Sequence, residues 1–374
     1  MMPVEIKTVS DKIDLKEFIF LPKKIHALNS NWLPPIYADE WKFYTPKYNH
    51  QLSQSDTVLF LAYNNGIISG RIMGIIHRGY NSVNNETTAR FFNLECSDEI
   101  EVSTALLYAV EQWAKEKGMN KLIGPFGFSD KDPQGLQIEG FQYLPVIATA
   151  TNMEYLPKLV EQNGFEKEID CVVYNIKVPS EIPPLYQSIY ERVIKNPKIK
   201  VMEFSKRSEL KKFIIPVMGL MNETYKSLYG FIEMSENEMF DLAKKYLPML
   251  DPEFSKVVTD EYNNPIAFIV SSPDISAGIK KAGGKLFPFG FIHILSSGKK
   301  SKQLDLFLGA VKDPWKGCGL TAILAITLLN SARKRNLSFI DSHLILETNK
   351  PMRSVAEKFG GKIYKRYRIY KKNI

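Results

Sequence analysis

Three cysteines in 374 residues, Cys96, Cys171 and Cys318, are too few and too far apart for a disulfide framework or a CxxC metal site. The five histidines, His26, His50, His77, His293 and His343, form no HxxxH or HxH pair, which removes the common zinc spacings. No apolar run approaches the roughly 20 residues that cross a bilayer. The opening MMPVEIKTVSDKIDLKEF carries acidic residues and no apolar signal core. These absences give the expectation of a cytoplasmic protein with no structural metal and no membrane partner. Hydrophobic residues at 44% and charged residues at 24% describe a globular chain, long enough for two domains.

What is present is unevenly spread. Of 49 Lys and Arg and 41 Asp and Glu, residues 1–180 hold 17 and 22, leaving 32 and 19 for the remainder. An acidic half is joined to a strongly basic one, and an anionic ligand is favoured on the second.

Within the basic half, VKDPWKGCGL at 311–320 separates two periodicities. Leu304, Leu306, Leu308 and Ala310 alternate with Asp305, Phe307 and Gly309 as a strand does. After the loop, Ile323, Ile326 and Leu329 recur at helical spacing, and the segment ends on basic residues. A glycine-bearing strand-to-helix turn exposes backbone N–H groups at the helix start. Glycine lets a phosphate approach them, and Lys316 adds a cation. By spacing alone the same glycines also serve a simple chain reversal.

The two sides of the proline-rich VPSEIPPLYQ (178–187) resemble each other. LLYAVEQWAKEKGMNKLIG at 106–124 aligns with LAITLLNSARKRNLSFIDS at 324–342, matching Ala114 with Ala332 and Lys117 with Arg335. Asn152 precedes Gly164, and Asn349 precedes Gly361, by the same interval, with a Tyr-bearing strand after each. We read a duplicated α/β unit, 1–178 and 179–374, with mixed sheets and helices on both faces.

The run VKDPWKGCGLTAILAITLLNSARKRN, then LILETN and AEKFGG, resembles the acyl-CoA-binding core of the GNAT acetyltransferase superfamily, over residues 303–372. Two such units in one chain resemble tandem members such as mycothiol synthase and N-myristoyltransferase. The resemblance implies two tandem GNAT-like domains. It implies that the backbone of Lys316, Gly317, Cys318, Gly319, Leu320 and Thr321 holds the diphosphate of acetyl-CoA or another acyl-CoA, with Val311 against the pantetheine. Asn349 matches an Asn that lies near the cofactor in the family. Lys316 and Thr321 depart from the usual Gln/Arg and Gly/Ala. Ala356 stands where many members carry the tyrosine that protonates the departing thiolate, so that proton must come from elsewhere. In the first half the loop position falls on DEIEVS (98–103), whose carboxylates would repel a diphosphate.

An amine acceptor must lose a proton before attack. Glu347, ending the strand SFIDSHLILE near the expected cofactor, is the chosen base, and His343 on the same strand face is the other candidate. Cys318 is read as a small loop residue. GPFGFSDKDPQG (124–135) is either a loop reaching an acceptor or a packed turn. Residues 271–302, with Phe287, Phe289 and Phe291 among lysines, are either a lid or channel or a plain extension. The tail KIYKRYRIYKKN is read as a sheet strand and not a nucleic-acid surface. The expected activity is therefore acetyl transfer from acyl-CoA to a small-molecule or peptide amine by direct attack. The rival is a catalytically silent CoA-binding or scaffold protein. A transferase dependent on charged tRNA is a third reading. A side chain at Gly319 is expected to block the loop without disturbing the fold.

Overall fold

The computed structural model describes residues 3–248 and 250–374. Seven strands come from the first half: β1 Glu5–Thr8, β2 Ser55–Asn64, β3 Ile67–His77, β4 Thr88–Cys96, β5 Lys121–Gly124, β6 Leu136–Glu139 and β7 Glu166–Lys177. The second half repeats the series: β8 Ile199–Glu203, β9 Ser255–Asp260, β10 Pro265–Pro273, β11 Gln303–Val311, β12 Phe339–Asp341, β13 Ile345–Leu346 and β14 Lys362–Asn373.

Local chemistry accounts for the joints. Asn65 and Gly66, both at positive φ, form the two-residue hairpin between β2 and β3, as the Asn-Gly pair favours. Ser235 and Glu238 close a capping box at the start of helix Glu236–Tyr246. VPSEIPPLYQ runs from the end of β7 into helix Pro184–Val193. Pro183 and Pro184 suit this start, because the missing N–H of a proline in the first turn has no intrahelical partner to lose.

All the strands lie in one sheet, in the order β1-β2-β3-β4-β5-β14-β7-β12-β11-β10-β9-β8, with β6 on β14 and β13 on β7. The two halves have exchanged their last strands. β14, from the end of the chain, pairs with β5 and β6 of the first half. β7, from the end of the first half, pairs with β12 and β13 of the second. The two exchanged strands also pair with each other along most of their length. The tail KIYKRYRIYKKN is thus a central strand, with Lys365, Tyr367 and Tyr370 buried. Among the described residues only β4–β5 and β11–β12 are parallel, and each is bridged by a helix, Ile100–Glu116 or Leu320–Lys334. These helices pack Val102, Leu106 and Val110, or Leu328, Leu329 and Ala332, into the cores on one sheet face. On the other face of the second half, helices Ile214–Tyr225 and Glu236–Tyr246 cover β10 and β11.

Candidate functional site

β11 and β12 pair over only three residues, ending at Asp305 opposite Asp341. Beyond that point they part. β11 runs on to Val311 with a bulge at Phe307, where Val270 faces Leu308 and Ser271 faces Leu306. On the other side the chain leaves β12 through Ser342 and His343. The stretch SFIDSHLILE is therefore not one strand. His343 takes φ +56°, a conformation that β-strands do not contain, and β13 restarts only at Ile345. His343 and Glu347 consequently do not share a strand face.

The apex of this notch is a buried polar cluster. The Asp341 carboxylate accepts from the Tyr364 hydroxyl, from Lys365 Nζ at 3.4 Å and from the His343 amide at 2.6 Å. Lys365 also donates to the Leu144 carbonyl at 3.1 Å. Asp305 accepts from Gln303 Nε2 at 2.8 Å. Burial, aided by the nearby Asp274 and Asp341, pushes the Asp305 carboxyl well above the usual range. One lysine faces one carboxylate, and burial disfavours charge on the second acid.

Next to this apex His343 lines a cavity of about 390 Å³. Its ring meets the bulged Phe307 edge-on at 6.2 Å, and its Nδ1 is buried with no hydrogen-bond partner. Burial holds the imidazole below its ordinary value, so it is neutral at pH 7. Tyr225 lines the same cavity. Its hydroxyl donates to the Gly309 carbonyl at 3.0 Å and accepts from the Gly309 amide at 3.2 Å, on the limb of β11 that β12 has left. Burial raises this phenol to about 12. The remaining walls are apolar, with Val217, Met221, Leu242, Phe268, Leu306 and Leu346 among them. Asp130, Lys131 and Gln134 reach this wall from the first half. The loop 124–135 is thus both packed, through buried Phe126 and Phe128, and part of the cavity.

The glycine loop lies at the far end of β11. A one-turn helix, Asp313–Trp315, precedes it, and Gly317 and Gly319 take φ +79° and +87°. Gly319 is the N-cap residue of helix Leu320–Lys334. Among the described residues, the amides of Gly317, Gly319, Leu320 and Thr321 find no backbone acceptor. Leu320 turns its side chain into the core, while Thr321 and Cys318 are exposed. Val311 is half-buried beside Trp315, and exposed Lys316 pairs with Asp313. The expectation for Gly319 needs correction. A Cβ there would lie 2.8 Å from Ile189 and from Val193 of helix Pro184–Val193, so any side chain disturbs packing. Gly317 has open space, so a side chain there meets no neighbour and disturbs only its own backbone, which is at positive φ.

Glu347 and Asn349 are placed differently. Asn349 caps helix Lys350–Lys358 by accepting from the Met352 amide and lines the cavity. Glu347 accepts from Lys167 Nζ at 2.8 Å and from the Asp170 amide at 3.1 Å, and does not line the cavity. Ala356 is buried in the core, so no hydroxyl stands there. Sequence reasoning passed over Tyr225, Asp305 and Asp341. Only the two inward acidic residues in strands left a signal.

No protein-family model matches the sequence. Protein YghO of Escherichia coli is 27% identical over 381 residues, covering 99% of this chain and 95% of the relative. A bacterial ceramide synthase of Caulobacter vibrioides is 27% identical over 374 residues, covering 97% and 96%. Among solved structures, a tandem GNAT protein from the clavulanic acid biosynthesis pathway superposes with a TM-score of 0.56 at 11% identity, covering 99% of this chain and 98% of that one. A GCN5-related N-acetyltransferase from Sphaerobacter thermophilus gives 0.54 at 11% identity, covering 100% and 97%. The chain has the tandem GNAT fold.

Proposed function

We propose that the protein is an acyl-CoA-dependent N-acyltransferase whose second half carries the site, and that one reactant brings a long hydrocarbon chain. The observation that carries this reading is the apolar cavity opening on the β11–β12 notch beside an unpartnered, neutral imidazole. Each methylene moved from water into such a lining contributes about 0.8 kcal/mol. A chain of about eight methylenes is then favoured over an acetyl group by about 6 kcal/mol, before the cost of ordering it. The similarity to a ceramide synthase supports the same direction, because a ceramide is the amide of a fatty acid and a long-chain amino alcohol.

The residues present fit an acyl-CoA. The amides of Gly317, Gly319, Leu320 and Thr321, which find no backbone acceptor among the described residues, suit a diphosphate in the basic half. From Phe307 to Val311 the strand rises about 14 Å, a span for an extended thiol arm between loop and cavity. When bound, acyl-CoA supplies the thioester carbonyl. His343 takes the proton from the acceptor amine, and its neutral form is ready to do so. As the C–N bond forms and the C–S bond breaks, the Tyr225 hydroxyl on the open limb of β11 turns its single proton from the Gly309 carbonyl toward the departing thiolate, in place of the missing tyrosine at Ala356. Glu347, ion-paired to Lys167, positions the segment after the notch.

The test is free thiol release from acetyl-, octanoyl- and palmitoyl-CoA with a long-chain amino alcohol and with a short polar amine. Release that rises with the chain length of either reactant is expected. Release only from acetyl-CoA with the polar amine would overturn the lipid reading. No release in any pairing would leave the silent CoA-binding reading in its place.

A further inference from the structure

We infer that the insertion between β10 and β11 seats the protein on an anionic lipid bilayer. The expectation of no membrane partner rested on the lack of a spanning segment, and among the described residues no helix is long and apolar enough to cross a membrane. An interfacial segment needs no such length.

The insertion is a helical hairpin, Ser276–Lys281 and Gly290–Lys300. Its inner side is held firmly. Gly278 lets the two helices touch, since a Cβ there would stand 2.6 Å from the His293 carbonyl. Ile279 and Ile294 pack on Leu33 and Ile36 of the first half. The Tyr37 amide donates to the Gly284 carbonyl at 3.0 Å, and Lys280 donates to the Ser30 carbonyl.

Its outer side has no such partners. Phe287 is 80% exposed and Phe289 66%, and Phe291, Ile292 and Leu295 continue the same surface along the helix. Five large apolar side chains together on one hairpin differ from the scattered apolar residues of an ordinary surface. The same segment carries the exposed Lys281, Lys285, Lys299 and Lys300, and no acidic residue occurs between Asp274 and Asp305. Aromatic and aliphatic side chains flanked only by lysines match an acyl–headgroup boundary carrying negative charge. The hairpin also adjoins the cavity, because Ile147 and Ile275 pack against its core and line the cavity as well. A lipid-chain reactant would then enter from the bilayer; that last link rests on the acyltransfer reading, whereas the docking surface does not.

The test is co-sedimentation of the full chain with vesicles of phosphatidylcholine alone and with equal parts phosphatidylglycerol, at low and high salt. Binding to the anionic vesicles that weakens with salt is expected. Phe287→Ser/Phe289→Ser/Phe291→Ser should reduce it at least tenfold at unchanged melting temperature. Lys281→Gln, Lys285→Gln and Lys299→Gln should each cost about fivefold. Wild-type protein left in the supernatant overturns the inference, whatever the thiol-release assay gives. So does a wild-type dimer that the triple Phe variant converts to monomer, since the surface would then be an interface between copies.

Discussion

The two halves place opposite chemistry at one topological point. In the first, β4 and β5 pair for three residues and part after Arg90 opposite Ile123. In the second, β11 and β12 pair for three and part after Asp305 opposite Asp341. Arg90 lies buried in its own notch and donates to the Gly127 and Phe128 carbonyls at 3.0 and 2.6 Å. Its guanidinium also stands over the rings of Tyr80 and Phe126. The first notch is thus plugged, and the helix after it starts from Glu99 as N-cap, with Glu101 in its first turn, where the second half has Gly319. In the second half the acids stay at the apex, leaving the space beyond to a cavity. A duplicated frame keeps its backbone geometry while one residue at the splay decides whether the notch is filled or open.

The strongest way to break this comparison is to remove the base from the open notch. His343→Gln should lower kcat/KM by about two to four orders of magnitude, read by thiol release. Glu347→Gln should stay within a few-fold. In the wild type, a base whose value burial has lowered is deprotonated at neutral pH. Activity is therefore present above that value and falls as pH drops through it. The equal loss of both variants would return the role to Glu347.

The next effects are on stability. Asp341→Asn leaves Lys365 buried without a counter-charge and turns an amide donor toward Tyr364 and Lys365. A loss of about 3–5 kcal/mol is expected in urea unfolding. Arg90→Met in the other notch strands two carbonyls and should cost about 2–4 kcal/mol, while leaving CoA affinity unchanged in calorimetry. An affinity loss in Arg90→Met would mean that the plugged notch takes part in binding.

Gly317→Glu puts a carboxylate into the loop of the second half, where the first half carries Asp98 and Glu99. The backbone there is at positive φ, which costs a non-glycine residue about 1 kcal/mol, and the new carboxylate opposes a diphosphate. CoA affinity should fall about tenfold or more, with little change in melting. An unchanged affinity would remove the loop assignment.

The repeated strand–loop–helix units were legible because periodicity, glycines and caps are local. The Asn65–Gly66 hairpin, the helix after Gly319 and the strand from Gln303 all follow from residues close in sequence. The exchange of β7 and β14 was not legible. Backbone pairing does not depend on which half supplies the neighbour, and both strands have apolar residues on both faces. The break at His343 was hidden because Phe339-Ile340 and Leu344-Ile345-Leu346 both favour strand, and the polar Asp341-Ser342-His343 between them does not say which residue turns to positive φ. Glu347 looked free because its partner, Lys167, comes from the exchanged strand. The cavity escaped because its walls come from helices 207–246, from β9–β11 and from the 130–134 loop, none adjacent in sequence.

The smallest expected effect sharpens the comparison most finely. Asp305→Asn replaces an acid on which burial disfavours charge with an amide that still accepts from Gln303 and still offers a donor. At neutral pH the variant should lie within about 1 kcal/mol of the wild type. The direction with pH follows from linkage. A carboxyl raised in the folded state binds its proton there while the unfolded chain has lost it, so wild-type stability declines as pH climbs above about 4. The amide does not titrate, so the variant should gain on the wild type over that range and show no advantage below it. Melting curves of both proteins between pH 4 and pH 8 measure this. A variant that instead loses as much as Asp341→Asn would show Asp305 ionised and sharing Lys365. The second notch would then hold a charge pair of the kind Asp341 makes alone, and neutral acid at the splay would no longer separate the two halves.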